Sequence, residues 1–215
     1  MSEEGVVSLE AGERPVGTAL LLENEYFRAW SIDLAPGAIN PTHFHRLDHV
    51  LYTVRGATLE IHTSTRAPAR RDFEPGVVAF VPAGVTESAM NVGATRFLSI
   101  DIEIKQPSSA STESKRAYGR APAEGPSGRV VLLETPRVRA SQIRVHPGDT
   151  YHYTPIGRDQ LVVVISDADL ELTDATCAVR EHRTECQAWI RRAQCAEGIR
   201  NVGTTPYVEI AVELC

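Results

Sequence analysis

The chain has 215 residues, of which 42% are hydrophobic and 23% are charged, the composition of an ordinary soluble globular protein. Its 22 lysine and arginine residues against 28 acidic residues give a net charge of −6, which argues against nucleic acid as a partner. A chain of this length buries roughly 70% of its unfolded surface, so it needs no metal or disulfide merely to fold. A metal site in it would therefore indicate function.

The N-terminal segment, the apolar runs and the cysteines predict the cellular compartment of the protein. Residues 1–17 form a predicted N-terminal arm with four glutamates and no apolar run, and no stretch of 18 apolar residues occurs anywhere. We therefore expect neither secretion nor membrane insertion. The four cysteines contain no C-x-x-C pair and are expected to be reduced thiols in a cytoplasmic protein; they are Cys177, Cys186, Cys195 and Cys215.

The sequence contains an internal repeat. One constant shift, the distance from Leu22 to Leu133, also aligns Pro36-Gly37 with Pro147-Gly148 and Asp48 with Asp159. A shift one residue shorter aligns Asn91-Val92-Gly93 with Asn201-Val202-Gly203. The repeat predicts two similar units, at 18–104 and 130–215, joined by a linker at 105–129 that is rich in Ser, Pro, Gly and Ala.

In chain order, each half shows short apolar or alternating runs that are rich in β-branched residues and bounded by turn-forming residues. Such runs predict β-strands, here at 27–34, 49–54, 58–62, 77–81, 97–104, 130–133, 161–165 and 207–212. Residues 185–195 follow a helical capping pattern, Thr184-x-x-Gln187, but the repeat aligns them with the strand-like 75–85. Strand and turn are therefore favoured there, and the predicted fold is all-β.

A cluster of three histidines is the strongest chemical signal. His43, His45 and His49 lie within seven residues. In an extended strand His43 and His45 point to the same side, and His49 begins the next apolar run, from which it can face them. Three neutral imidazoles bind a metal well, with nitrogen-to-metal distances of about 2.0–2.1 Å for zinc. The alternative is an exposed histidine-rich loop, which the apolar strand directly downstream makes less favoured.

Two motifs around these histidines resemble those of the cupin superfamily. The first family motif is G-x5-H-x-H-x3-E-x6-G; this chain has histidine in the place of the usual glutamate, at the matching positions Gly37, His43, His45, His49 and Gly56. The second is G-x5-P-x-G-x2-H-x3-N; this chain has glutamate in the place of the usual histidine, at Gly76, Pro82, Gly84, Glu87 and Asn91. The resemblance covers nearly all of the first unit and about two thirds of the second.

The two departures compensate, because exchanging an acid with a histidine leaves three histidines and one glutamate. The resemblance therefore implies the metal ligands His43, His45, His49 and Glu87. Glu87 has the alternative of a general base beside a three-histidine metal. Asp48 is off the motif spacing and recurs as Asp159 without histidines, so we interpret it as structural. Asn91 is expected to organise a turn, since Asn201 persists in the second unit.

The second unit is predicted to lack a metal. The repeat aligns the four implied ligands with Thr154, Ile156, Gln160 and Glu197, which cannot replace three imidazoles. His152 lies nearby without an H-x-H partner and is expected to be an ordinary strand or loop residue. The resemblance thus implies two tandem cupin barrels, each a jelly roll or double-stranded β-helix, with a metal site in the first barrel and none in the second.

The resemblance implies function only coarsely, since cupins include dioxygenases, isomerases, decarboxylases, lyases, regulators and storage proteins. Four protein ligands on a six-coordinate ion leave two open positions, and one carboxylate leaves a local charge near +1, which favours a small oxygenated anion as substrate. The leading hypothesis is a non-haem iron dioxygenase, with Ni, Zn, Mn or Cu as other candidate metals. The alternatives are an isomerase or lyase, or a non-catalytic binding protein; a monomer or homodimer is expected.

Overall fold

The computed structural model describes residues 14–106, 115–155, 157–173, 178–193 and 198–215. Every regular element in these residues is a β-strand, and they contain no helix of the length and hydropathy needed to cross a membrane. The chain divides into two compact units, 1–119 and 120–215. The all-β prediction is confirmed.

The first unit contains two antiparallel sheets. Their strands are β1 (Ala19–Glu23), β2 (Phe27–Leu34), β3 (Ile39–His45), β4 (His49–Arg55), β5 (Thr58–Thr63), β6 (Arg66–Asp72), β7 (Val77–Val81), β8 (Val85–Asn91), β9 (Phe97–Ile104) and β10 (Ala117–Arg120). The larger sheet has the order β1-β2-β9-β4-β7-β10, and the smaller has the order β3-β8-β5-β6. The two sheets form a jelly-roll barrel.

The second unit repeats this arrangement. Its strands are β11 (Gly128–Glu134), β12 (Val138–Val145), β13 (Thr150–His152), β14 (Gln160–Ser166), β15 (Ala168–Thr173), β16 (Ala178–Arg183), β17 (Ala188–Arg191), β18 (Gly198–Asn201) and β19 (Tyr207–Leu214). The sheet orders, β11-β12-β19-β14-β17 and β13-β18-β15-β16, match those of the first unit strand for strand, except that β10 has no counterpart.

Burial follows the apolar pattern that predicted the strands. All eight residues of β9 are buried, whereas all seven residues of β6, four of them charged, are exposed. The predicted runs at 27–34, 77–81 and 97–104 coincide with β2, β7 and β9. Apolar side chains therefore fix which strands form the interior.

The predicted N-terminal arm and the predicted linker both contain residues that belong to the folded units. Val16, in the predicted arm, is buried, while residues 1–13 lie outside the described part of the chain. The predicted linker at 105–129 contains β10 and the first two residues of β11, and its residues 107–114 lie outside the described ranges.

Residues 184–191 form a turn followed by strand β17, as the repeat favoured over a helix. The backbone amide of Thr184 donates to Oε1 of Gln187 at 3.3 Å, so the capping pattern makes its hydrogen bond in a turn. Cys186 lies in this turn at a φ of +67°, and both Cys186 and Cys215 are free thiols. Cys177 and Cys195 lie outside the described residues.

A bulge in β3 sets the direction of the side chains that matter most. From Asn40 to His43 the chain advances by three residues, whereas the paired strand β8 advances by only two, from Ala89 to Glu87. Asn40, His43 and His45 are all buried, although Asn40 and His43 are three positions apart and would face opposite sides of a regular strand. The extra residue turns both to the interior, as bulges beside functional sites commonly do.

Each barrel has one buried asparagine that holds a turn. Nδ2 of Asn91 donates to the carbonyls of Leu34 and Thr95, both at 2.8 Å. Nδ2 of Asn201 donates to the equivalent carbonyls of Val145 and Thr205, also at 2.8 Å. The contacts are the same with and without the histidine cluster, so the asparagine serves the turn.

We expect Asn91→Ala and Asn201→Ala each to lower the free energy of unfolding of their own barrel by about 1–3 kcal/mol, because each leaves buried carbonyls without a donor. Urea denaturation with hydrogen exchange of peptides from β9 and β19 reports each barrel separately. Thr65→Ala, at an exposed position, is the control. A barrel that loses its asparagine with no loss of stability would contradict this role.

Candidate metal centre

The three clustered histidines line one pocket inside the first barrel. His43 and His45 lie on β3 and His49 begins β4, and each is at most 5% exposed. Glu87 on β8 lines the same pocket. The structure therefore excludes the alternative of an exposed histidine loop and brings all four predicted site residues together.

His43 and His45 present their Nε2 atoms to the same point. The two Nε2 atoms are 3.1 Å apart, and Nδ1 of His43 lies 2.8 Å from the carbonyl oxygen of Pro41. That carbonyl accepts a hydrogen bond from Nδ1–H, which leaves the Nε2 lone pair of His43 free for a metal. Two ligands at about 2.1 Å and at right angles around an ion would be about 3.0 Å apart, close to this separation.

His49 completes the imidazole cluster from the other sheet. Its ring stacks on that of His45 at a centroid distance of 4.2 Å. Burial lowers the pKa of His49 well below its usual range, and His45 adds to this effect; burial also lowers the pKa of His43. Both rings are therefore neutral at physiological pH, the form that binds metals.

Glu87 is the direct cross-strand partner of His43, and its Oε1 lies 3.7 Å from Nε2 of His45. Burial alone would raise the pKa of Glu87, but His45 lowers it overall; burial would lower the pKa of His45, but Glu87 and Asp101 raise it. A metal that binds here would displace the proton of His45. With 29% of its side chain exposed, Glu87 lies at the mouth of the pocket.

Asp101 on β9 is a site residue that the motif analysis did not identify. Its Oδ2 lies 3.9 Å from Nε2 of His49, and neither of its buried carboxylate oxygens has a hydrogen-bond partner among the described residues. Burial raises the pKa of Asp101 to about 7, with Glu103 and Glu87 adding to this and His45 opposing it. The available signal was the alternation of Ser99, Asp101 and Glu103 with isoleucines in a strand otherwise apolar.

The donors form two overlapping groups that fit a transition metal. One is His43, His45 and Glu87, and the other is His45, His49 and Asp101; within each group the ligand atoms lie within 4.8 Å of one another. Both groups are two histidines and one carboxylate, a set typical of non-haem iron. The unpaired buried oxygens of Asp101 are those of a group that lacks a cation partner.

Asp48 has a structural contact rather than a place in either group. Its Oδ1 accepts a hydrogen bond from the backbone amide of Ala83 at 2.8 Å. Asp159 accepts the same bond from Ala193 at 2.8 Å in the second barrel. Because the contact recurs without the histidines, it holds the loop before β8 or β18.

The second barrel has different side chains at the matching positions. Thr154 and Gln160 replace His43 and His49 around a pocket, while Ile156 and Glu197 lie outside the described residues. His152 is exposed at the end of β13. Within the described residues, both candidate metal groups belong to the first barrel.

Comparisons with known proteins agree with this architecture. The family model for cupins matches residues 23–118. A search of curated proteins finds no match. Solved structures with the same fold include a putative glyoxylate-induced protein from Pseudomonas aeruginosa, with a TM-score of 0.66 and 13% identity over 89% of this chain and 75% of that chain.

Two enzymes share the fold at lower similarity. The oxalate decarboxylase of Bacillus subtilis, described with Mn(II) centres, has a TM-score of 0.56 and 15% identity over 88% of this chain and 69% of its own. The salicylate 1,2-dioxygenase of Pseudaminobacter salicylatoxidans has a TM-score of 0.57 and 10% identity over 88% and 71%. At these identities the likeness shows the fold.

Replacing His43 and His45 together by alanine should abolish bound metal, since His45 belongs to both candidate groups and His43 to one of them. Elemental analysis of the purified protein and its circular dichroism spectrum measure metal content and β structure. His62→Ala, an exposed histidine on β5, is the matched control. Full metal content in the double variant, or a loss of metal in Gln160→Ala, would contradict the assignment.

Proposed function

We propose that this chain is a two-barrel member of the cupin superfamily whose first barrel is a metal-dependent enzyme, a non-haem iron dioxygenase acting on a small oxygenated anion. The observation that supports this most is the pair of two-histidine, one-carboxylate groups around one pocket. Such sets leave open positions on the ion, which distinguishes catalytic metal sites from closed structural ones.

The residues that would hold the ion are His43, His45 and His49, with Glu87 or Asp101 as the carboxylate. When bound, an iron ion would supply a Lewis acid and a place where substrate and dioxygen meet. With one carboxylate as ligand, a divalent ion keeps a local charge near +1, which favours an anionic substrate although the chain is acidic overall. Mn, Ni, Zn and Cu are other metals that nitrogen-rich ligands accept.

The pocket walls limit what can bind. The pocket encloses about 50 Å³ and is lined on its apolar side by Ile32, Leu51 and Phe97. These side chains exclude water, which strengthens charge interactions within the pocket. A substrate of a few heavy atoms beyond its metal-binding oxygens suits this space better than a large one.

Ser99 is positioned to orient a substrate. It lines the pocket, is fully buried, and its hydroxyl makes no hydrogen bond within the described residues. A buried donor without a partner is costly, and a substrate oxygen would satisfy it. Ser99 would thereby hold a carbonyl or carboxylate oxygen at the side of the pocket next to Asp101.

A lyase or isomerase is the second candidate, and the place of Glu87 favours it. Glu87 lies at the pocket mouth with 29% of its side chain exposed, where a carboxylate can exchange protons with water. If Asp101 is the ligand, Glu87 is free to move a proton on a bound substrate. A non-catalytic cupin would need neither group to change its protonation.

Oxygen consumption separates these functions. The protein is loaded with Fe(II) without air, mixed with 1,3-diketones or phenolic acids, and followed with an oxygen electrode. We expect substrate-dependent oxygen uptake that is absent from the variant with both His43 and His45 replaced by alanine. Retained substrate binding without oxygen uptake would overturn the dioxygenase proposal and leave the lyase, the isomerase or the binding protein.

Glu87→Ala tests the role of that carboxylate. We expect a lower metal content, because the substitution removes the only carboxylate of one candidate group. Metal analysis at limiting metal concentration is the measurement, and Glu60→Ala, which removes a partly exposed carboxylate of β5 that pairs with Arg70, is the control. Full metal content with lost turnover would instead assign proton transfer to Glu87 and ligation to Asp101.

A further inference from the structure

The second barrel keeps a pocket at the place where the first barrel has its histidines. Thr154 and Gln160, the counterparts of His43 and His49, both line it. An arginine side chain occupies a position of this pocket that is apolar in the first barrel. Arg191 pairs with Gln160 across β17 and β14, the position that Val81 occupies opposite His49.

Arg191 is held rigidly at the inner wall of this pocket. Its Nη2 donates to Oε1 of Glu209 at 2.6 Å, and its guanidinium lies 3.7 Å from the ring centroid of Tyr153. Glu209 also accepts hydrogen bonds from the hydroxyls of Tyr153 and Tyr207. Glu209 therefore already accepts three hydrogen bonds, and Nη1 of Arg183 lies 3.9 Å from its Oε2.

Glu213, the other buried carboxylate of this region, also accepts hydrogen bonds from neighbouring side chains. Its Oε1 accepts from Nη1 of Arg139 at 2.9 Å, and its Oε2 accepts from Nε2 of Gln160 at 3.0 Å. Arg129 reaches Glu213 only at 3.6 Å. Buried Nε and Nη2 of Arg129 consequently make no hydrogen bond within the described residues.

Arg129 and Tyr151 thus present unused donors at one pocket. Arg129, Tyr151 and Arg191 all line it, and the half-buried hydroxyl of Tyr151 has no hydrogen-bond partner among the described residues. Buried guanidinium N–H groups without a hydrogen-bond acceptor are unfavourable, and the planar fork of arginine matches a carboxylate. Ile143 and the ring of Tyr153 give the pocket an apolar side.

We propose that this pocket of the second barrel binds one short carboxylate, of the size of formate or acetate. Arg129 forms the ion pair, Tyr151 donates a further hydrogen bond, and Arg191 supplies the positive inner wall. The pocket encloses about 10 Å³, less than the pocket of the first barrel, so we expect it to exclude longer acids. The second barrel then has a ligand of its own without a metal, independent of the chemistry proposed for the first barrel.

Calorimetric titration of the full-length chain with sodium formate and sodium acetate, at an ionic strength fixed with sodium chloride, tests the proposal. We expect saturable binding of one anion per chain. Arg129→Gln should weaken it by about tenfold or more, the loss that removal of one charge-assisted hydrogen bond produces. Arg180→Gln, which removes an exposed arginine of the same barrel, should leave affinity unchanged.

The same titration on the variant with both His43 and His45 replaced by alanine separates this site from the first barrel. Anion binding that persists in this double variant supports the proposal. Binding that the double variant loses and Arg129→Gln keeps would instead belong to the metal site. No saturation in the wild-type chain, equal affinity in Arg129→Gln, or an equal response to chloride would overturn it. Because Arg129 is partly exposed on β11, its replacement leaves the core intact; hydrogen exchange of β19 peptides checks this.

Discussion

The bulge between Asn40 and His43 is the constraint on which the candidate metal site depends. A regular β3 would place His43 on the opposite side from Asn40; the extra residue brings Asn40, His43 and His45 into the same interior. With that register His43 faces Glu87 across β8, and its Nε2 comes within 3.1 Å of that of His45. His49 and Asp101 then approach the same rings from the larger sheet.

The two barrels share one fold but differ in the side chains that line their interiors. Asn91 and Asn201 hold the same turn, and Asp48 and Asp159 hold the same loop, so the contacts that maintain the fold are shared. The inward positions differ: imidazoles and Asp101 in the first barrel, guanidinium groups, tyrosines and Glu209 in the second. Both sets are buried polar groups, which a barrel retains at a cost in stability and which therefore indicate a ligand or a network.

Much of the fold was predictable because it rests on local patterns. Alternating apolar residues located β2, β7 and β9, and the repeat correctly favoured a strand over the helical pattern after Thr184. His43, His45 and Glu87 were recoverable from spacing because each lies in a motif with fixed turns. Asp101 was not, since it lies in no motif and only the neighbouring strands bury it. The arginines of the second barrel were likewise missed, because their partner Glu209 is distant in sequence and only pairing of β14, β17 and β19 brings them together.

The central claim is that the first barrel alone holds one transition metal on its histidines. Crystallographic anomalous scattering from the purified protein, recorded on both sides of the iron, manganese, nickel, copper and zinc absorption edges, tests it most directly. We expect one anomalous peak per chain, bonded to Nε2 of His43 and His45 and to the carboxylate of Glu87 or Asp101. No peak in the first barrel, or a peak among the arginines of the second, would contradict it.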